Sequence, residues 1–459
     1  MQTKLKKIRE YGEPTREILS LWLPEMISSA LLISLPILLD SYLIAGLKST
    51  STYGALGLAN NFLHFLIKLA EAIPVAAIAI IGRHNGAEEY KKCGNDLGDT
   101  FWTTTLLGSL LALIVFFNSG NIFRLLNVPE KMISLGVPFL QLKAIGVMLI
   151  FTSLGFFAFM RALKNTKTPM IIFIIGVTTF IFFDYALVLG KFGFSQMGLI
   201  GSAIATIIQY GIMISLSIWY ILAKREYRKY FSKTFVTTFN LKGMLRLLNL
   251  SWPIMIDKSS LAASYIWLTY LIAPMGKYAI VSYDIIKNLE RFAILPAVGF
   301  AQIIVFLVSN RLGAHDPEGA KSNIKKVMIL TSAMIATTLF IVCYKARYFV
   351  SFFDPKHKYT DFAAPVLILV SMLVVFDFVQ LILAGALRGA GDVKTVMWAR
   401  FICFAFFFTP AAYIFSKLPI QNEIYKFALV YGTFYFTTGI IGIIFLIRIK
   451  TPKWQKKEF

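Results

Sequence analysis

The chain has 459 residues, of which 57% are hydrophobic and 15% charged, and a formal net charge of +22. Such a composition, with 41 Phe and a mean hydropathy of +0.69, excludes an ordinary soluble domain and points to lipid as the solvent. The surplus of lysine and arginine lies mainly in loops on one side of the apolar runs, which is the positive-inside bias, so it speaks for anionic lipid and excludes nucleic acid as a partner.

Crossing about 30 Å of hydrocarbon takes about 20 helical residues. About twelve apolar runs meet that length, near 19–47, 53–82, 99–118, 134–160, 168–189, 197–223, 247–273, 278–309, 327–344, 362–387, 396–416 and 424–447. The first is too long for a signal-peptide core and is followed by eleven more, so it reads as a retained span. Within it, "LISLPILLDSYLIAG" (Leu32 to Gly46) carries Asp40, with Pro36 one turn earlier. A carboxylate at that depth costs roughly 2.5–3.5 kcal/mol, so a partner or a task must offset it. Pro36 removes a backbone hydrogen bond beside it, leaving a carbonyl that can ligate a cation or switch partners as the helix bends.

Span 2 places Lys68 and Glu71 three apart, where they can satisfy one another. Span 5, "FIFFDYALVLG", embeds Asp184 in aromatics that make its charge costly, the condition for carrying a proton. Span 6 has Ser202, Thr206 and Gln209 at i, i+4 and i+7, a polar stripe that reads either as helix-to-helix hydrogen bonding or as oxygens offered to a cation. Span 7 carries Asp257, Ser260 and Ser264. In span 8 Asp284, Lys287 and Arg291, with Glu290 beside them, form a self-satisfied network or line a polar cavity. Span 10 sets Asp377 and Gln380 on one face. Asp40, Asp184 and Asp377 stand apart because no basic residue lies within a turn of them on their own spans.

Cys93, Cys343 and Cys403 are far apart and read as packing residues without a disulfide framework. His64, His84, His315 and His357 are scattered and suggest neither a metal site nor acid–base catalysis, so neither an enzyme nor a resident cofactor is expected.

The sequence repeats itself. "RALKNTKTPM" (Arg161 to Met170) returns as "RGAGDVKTVM" (Arg388 to Met397), and "NGAEE" near Gly86 as "LGAHD" near Gly313, both displaced by 227 residues. "SYLIAG" (Ser41 to Gly46) returns as "TYLIAP" (Thr269 to Pro274), displaced by 228. Six spans per copy is an even number, so both copies enter the membrane in one orientation. The expected fold is therefore an all-α polytopic membrane protein of 12 transmembrane helices in two parallel six-helix repeats, with a substrate site between them near the midplane. The N-lobe is placed at 1–225, a basic cytoplasmic linker at 226–246 and the C-lobe at 247–459, with both termini cytoplasmic. In the second copy Leu268 stands where Asp40 stands in the first. The fold does not need an acid there, which assigns Asp40 to coupling.

With these motifs the chain resembles the multidrug and toxic compound extrusion (MATE) family of cation-coupled antiporters over essentially its whole length. The resemblance rests on the Pro and Asp of span 1, "GRHNGAEE" after span 2, "RALKNTKTPM" before span 5, "MGLIGSAIAT" opening span 6, and "DFVQLILAGALRGAGD" across span 10. In the last, Asp377, Gln380, Gly385, Arg388, Gly389 and Asp392 stand where NorM-like members have them. The resemblance implies a V-shaped pair of lobes with alternating access, a monomer in the plasma membrane, and export of a small organic, usually cationic drug while H⁺ or Na⁺ runs inward. It implies an N-lobe site of Asp40 and Asp184, with Na⁺ as one ion they would hold and Ser202 matching a family hydroxyl; Pro36, Thr206 and Gln209 complete that candidate set. Phe180 stands where the family pattern has an Asn, which removes an amide ligand from it. It also implies a coupling role for Asp377, alongside a span 7 glutamate that has no clean match here; Asp377, Gln380, Asp257 and Asp284 form the second candidate set. The alternative is a lipid-linked oligosaccharide flippase of the same superfamily, which would need an excess of buried basic residues. Lys143, Lys258, Lys287 and Arg291 are outnumbered in the central spans by Asp40, Asp184, Asp257, Asp284, Glu290 and Asp377, a tally that suits cationic cargo better.

Overall fold

The computed structural model describes residues 12–33, 43–44, 49–125, 129–231, 239–354 and 356–455, and among these the secondary structure is helical with no strand. This follows from the solvent: with no water to bond to, each backbone N–H and C=O must be satisfied within its own segment. In chain order the helices are α1 (Thr15–Ile33), α2 (Thr50–Ala70), α3 (Ala72–Gly86), α4 (Tyr90–Leu125), α5 (Glu130–Ala162), α6 (Lys167–Leu189) and α7 (Leu199–Ala223). A short 3₁₀ segment (Arg225–Tyr230) follows, then α8 (Leu241–Ile272), α9 (Lys277–Gly313), α10 (Pro317–Tyr344), α11 (Ala346–Phe353), α12 (Thr360–Ser371) and α13 (Val374–Gly389). The last are α14 (Val393–Ile402), a π-helical turn (Cys403–Phe408), α15 (Thr409–Lys417) and α16 (Glu423–Lys450).

Among the described residues eight segments are long and apolar enough to cross a membrane: α4, α5, α6, α7, α9, α10, Val393–Lys417 and α16. The α12–α13 pair, bent by 49°, supplies a ninth. The three remaining expected spans run through α1, through α2 and α3 with a break at Glu71, and through α8. Helix ends follow from local chemistry. Gly190, at φ +69, closes α6 in the left-handed region that a side chain would strain. Asp316 caps α10 by accepting from Gly319 N at 2.8 Å, with Pro317 at the first helical position.

The chain divides into two compact units, Leu23–Ser251 and Met1–Trp22 with Trp252–Phe459. In the first, α5 is the central helix, packed by α2, α3, α4 and α7; Phe156, Phe157 and Phe159 on it are fully buried. In the second, α9 packs on α10, α12 and α13, and α13 on α16. The composition shift marks 226–246 as linker, whereas the units divide inside α1 and α8, each time just before a proline, Pro24 or Pro253. The segment up to Trp22 therefore belongs to the second unit, where the Trp22 ring stacks on Phe300 at 5.0 Å and Nε1 donates to Pro296 O at 3.0 Å.

Candidate functional site

In the first unit the candidate polar residues come from α5, α6 and α7. Asp184 on α6 is fully buried, and so is Phe180 one turn before it. The α7 stripe carries Ser202 and Gln209, both buried, with Thr206 half-buried between them. Lys143 reaches this stripe from α5: its Nζ donates to Thr206 Oγ1 at 2.7 Å and lies 5.2 Å from the Phe139 ring centre and 5.9 Å from that of Phe180. Phe180, the departure from the family pattern, thus gives a face of π-electron density to a buried ammonium. Thr206 in turn donates to Ser202 O at 3.0 Å, so its hydroxyl is used both ways. Ser202 Oγ has no hydrogen-bond partner among the described residues. Asp40 and Pro36 lie outside the described residues.

In the second unit the structure brings together three of the four candidates. Gln380 Nε2 donates to Asp377 Oδ1 at 3.0 Å, while Gln380 Oε1 accepts from Arg400 Nε at 3.2 Å. Arg400 Nη1 donates to Asp257 Oδ1 at 2.8 Å, and Arg388 Nη2 to Asp257 Oδ2. Two carboxylates and two guanidiniums, linked by one amide, balance to zero charge; only Asp377, at one end, is more than marginally exposed. Ser260 and Ser264, expected to continue the Asp257 stripe, return their hydroxyls to Ile256 O and Ser260 O of their own helix. Asp284 is exposed and takes no part in this network among the described residues.

Sequence reasoning missed several members. Arg400 was not singled out, nor was Glu25, which forms a buried ion pair with Arg161 at 2.8 Å. The repeat held the clue: Arg161 and Arg388 are related by the 227-residue offset, and each closes on an acid just beyond the proline of α1 or α8. His84, apparently isolated, has its Nδ1 2.5 Å from Asp96 Oδ2, and Arg246 Nη2 donates to Asp96 Oδ1 at 2.6 Å. Glu290 on α9 accepts from two tyrosines of α16 rather than pairing with Lys287, whose Nζ lies over the Tyr265 and Tyr283 rings at 5.1 and 5.4 Å. Among the described residues no three His, Cys, Asp or Glu side chains converge to hold a metal ion.

Comparison with known proteins places the chain by sequence and by fold. A protein named "Probable multidrug resistance protein NorM" from Mannheimia succiniciproducens is 25% identical over 405 residues, 85% of this chain and 86% of its own length. "Multidrug resistance protein NorM" from Photobacterium profundum is 23% identical over 412 residues, 89% of each chain. Among solved structures, the outward-facing conformation of a multidrug resistance MATE family transporter of the MOP superfamily superposes with a TM-score of 0.86 at 16% identity, over 97% of this chain and 98% of that one. A MOP superfamily transporter from Pyrococcus furiosus, described as having a binding pocket of reverse polarity, superposes with a TM-score of 0.84 at 15% identity over 98% of each. The MatE family model matches twice, at residues 24–186 and 253–414, each match opening at one of the two prolines where the units divide. With most of both repeats accounted for by that model, the chain belongs to the MatE family.

Proposed function

We propose that the chain is a secondary active exporter of organic, amphipathic cations, driven by inward movement of H⁺ and working by alternating access as a plasma-membrane monomer with cytoplasmic termini. Multidrug resistance, the function in the names of its NorM relatives, is the substrate class this reading takes over. The observation that carries the choice of ion is the seat of Lys143, whose ammonium already occupies the Thr206 hydroxyl and the Phe180 ring one turn from Asp184. A Na⁺ there would need several oxygens around it, and Lys143 has already taken the Thr206 hydroxyl. A proton removes negative charge and needs no cage of oxygens. Asp40 and Asp184 are the exchanging acids of this scheme. Cargo and proton compete for them on the outer side; protonation lets the first span bend at Pro36, and the inward-open state releases the proton and loads cargo.

The flippase alternative needs buried arginines free to meet a pyrophosphate. Arg388 and Arg400 are committed to Asp257, and Arg161 to Glu25, which favours cationic cargo. The test is efflux of tetraphenylphosphonium from vesicles under an imposed pH or Na⁺ gradient. Export driven by the pH gradient in the wild type, and lost in Asp40→Asn and Asp184→Asn, is expected. Full pH-driven export by both variants, or export driven by Na⁺ alone, would overturn the reading.

A further inference from the structure

Glu290 belongs to neither candidate set, yet it has the geometry of a site. It lies on α9 at 6% exposure. Its Oε2 accepts from Tyr435 OH at 2.6 Å and from Tyr431 OH, two residues one turn apart on α16 that are themselves buried. Its Oε1 is buried with no hydrogen-bond partner among the described residues. The cradle is held rigidly: Tyr431 meets Tyr283 edge-on at 5.3 Å and Phe427 at 5.9 Å, and Tyr435 meets Phe434 edge-on at 5.3 Å.

The charged and titratable groups facing Glu290 are few. Lys287 on α9 is drawn over the Tyr265 and Tyr283 rings, with Tyr265 supplied by α8. From α13, Asp377 is close enough to act on Glu290 electrostatically, and the positive charge beyond it, Arg400, is bound to Gln380 and Asp257. Asp284 and Arg291 lie on exposed faces of α9 itself. On the other helices packed on α9, Lys325 on α10, Arg347 on α11 and Asp361 on α12 are exposed, and the half-buried Lys326 on α10 is bonded to Glu13 O.

From this geometry we infer that Glu290 is a proton-exchange site of the second unit, with Oε1 the atom that is protonated and Tyr431 and Tyr435 the cradle that holds the ionised form. The chemistry selects the ligand. A hard metal cation takes several oxygens, and one open carboxylate oxygen among aromatics offers too few. A proton needs one. Burial in an apolar helix bundle opposes the charge while two O–H donors stabilise it, and opposing effects of that kind make an acid exchangeable. In the step itself an O–H bond of a hydronium ion breaks as one forms to Oε1, leaving water, and the reverse returns the proton; the tyrosine bonds to Oε2 are kept in both forms. The inference rests on the proton-driven export reading only in giving this exchange a use.

The test uses the full chain in lipid vesicles and follows the carboxyl C=O band by infrared difference spectroscopy as pH is stepped. In the wild type a protonated-carboxyl component that titrates is expected, and its loss in Glu290→Gln but not in Asp377→Asn. In Tyr435→Phe the ionised form loses a donor, so the component persists to higher pH. Export of tetraphenylphosphonium under a pH gradient is lost in Glu290→Gln. A band undiminished in Glu290→Gln, a Tyr435→Phe titration identical to wild type, or a Glu290→Gln variant exporting with the wild-type pH profile would each overturn the assignment. Failure of the wild type to export under any gradient defeats the transport reading instead, while loss of the band in Glu290→Gln still upholds Glu290 as the exchanging acid.

Discussion

Asp257 and Asp377 look alike as letters, each an acid in an apolar run, and the structure gives them different tasks. Asp257 is enclosed by Arg388 and Arg400, so replacing it leaves two buried guanidiniums without their carboxylate. Removing one partner of a buried pair costs about 3–5 kcal/mol. Asp257→Asn should therefore lower the unfolding midpoint sharply in detergent, whereas Asp377→Asn, which gives up a charge bonded only to Gln380 in this network, should move it little; equal midpoints for the two variants would refute the distinction. The acids were legible because a charge at membrane depth is expensive whatever surrounds it. Their partners were not, because Arg388 lies 131 and Arg400 143 residues away from Asp257. Only the repeat offset linking Arg161 to Arg388 hinted that arginine–acid closure is a property of both copies.

Between helices without water, close approach of backbones replaces the hydrophobic effect as the means of association. Gly385 and Gly389, one turn apart on α13, give α9 that approach. A Cβ at Gly389 would sit 2.3 Å from Val305 O, and one at Gly385 2.7 Å from Ala301 O. Both obstacles are backbone and cannot rotate away, so Gly389→Ala should cost about 1–3 kcal/mol by overpacking. Gly211→Ala on α7, with nothing within 4 Å of the new carbon, is the control and should be neutral or slightly stabilising. Denaturant midpoints of the two variants check the contrast. At this scale the apolar runs located the spans, but not every break inside them. The break between α2 and α3 at Glu71 follows from Pro74, which has no N–H to bond Ala70 O. The 49° bend between α12 and α13 falls at Met372 and Leu373, with neither proline nor glycine within a turn. That bend arises from packing against neighbours, which periodicity does not encode.

For the molecule as a whole, the 227-residue offset revealed two copies of one unit, but not where the segment from Gly12 to Trp22 is held. A shift in composition marks solvent-facing chain, while compactness is decided by contacts between residues some 300 positions apart. Glu13 makes those contacts. Its carboxylate accepts from Arg311 Nε at 3.1 Å and from Asn323 Nδ2, its backbone N donates to Asn323 Oδ1 at 2.8 Å, and its backbone O accepts from Lys326 at 2.9 Å. Gly12 beside it has φ +82, and a Cβ there would fall 2.4 Å from Asn323 Oδ1, so this corner admits no side chain. Hydrogen bonds to charged groups contribute about 1.5–3 kcal/mol each, and Glu13→Ala removes two, one of which is the Arg311 ion pair. The two backbone bonds alone should not keep the segment closed. Amides from Glu13 to Trp22 should then exchange with solvent faster in Glu13→Ala, as should those of a Gly12→Val variant that keeps the carboxylate, while α5 amides in the other unit keep their wild-type protection. Unchanged exchange across 13–22 in both variants would mean that the Trp22 stack on Phe300 holds the segment, and Trp22→Ala would then release what Glu13→Ala does not.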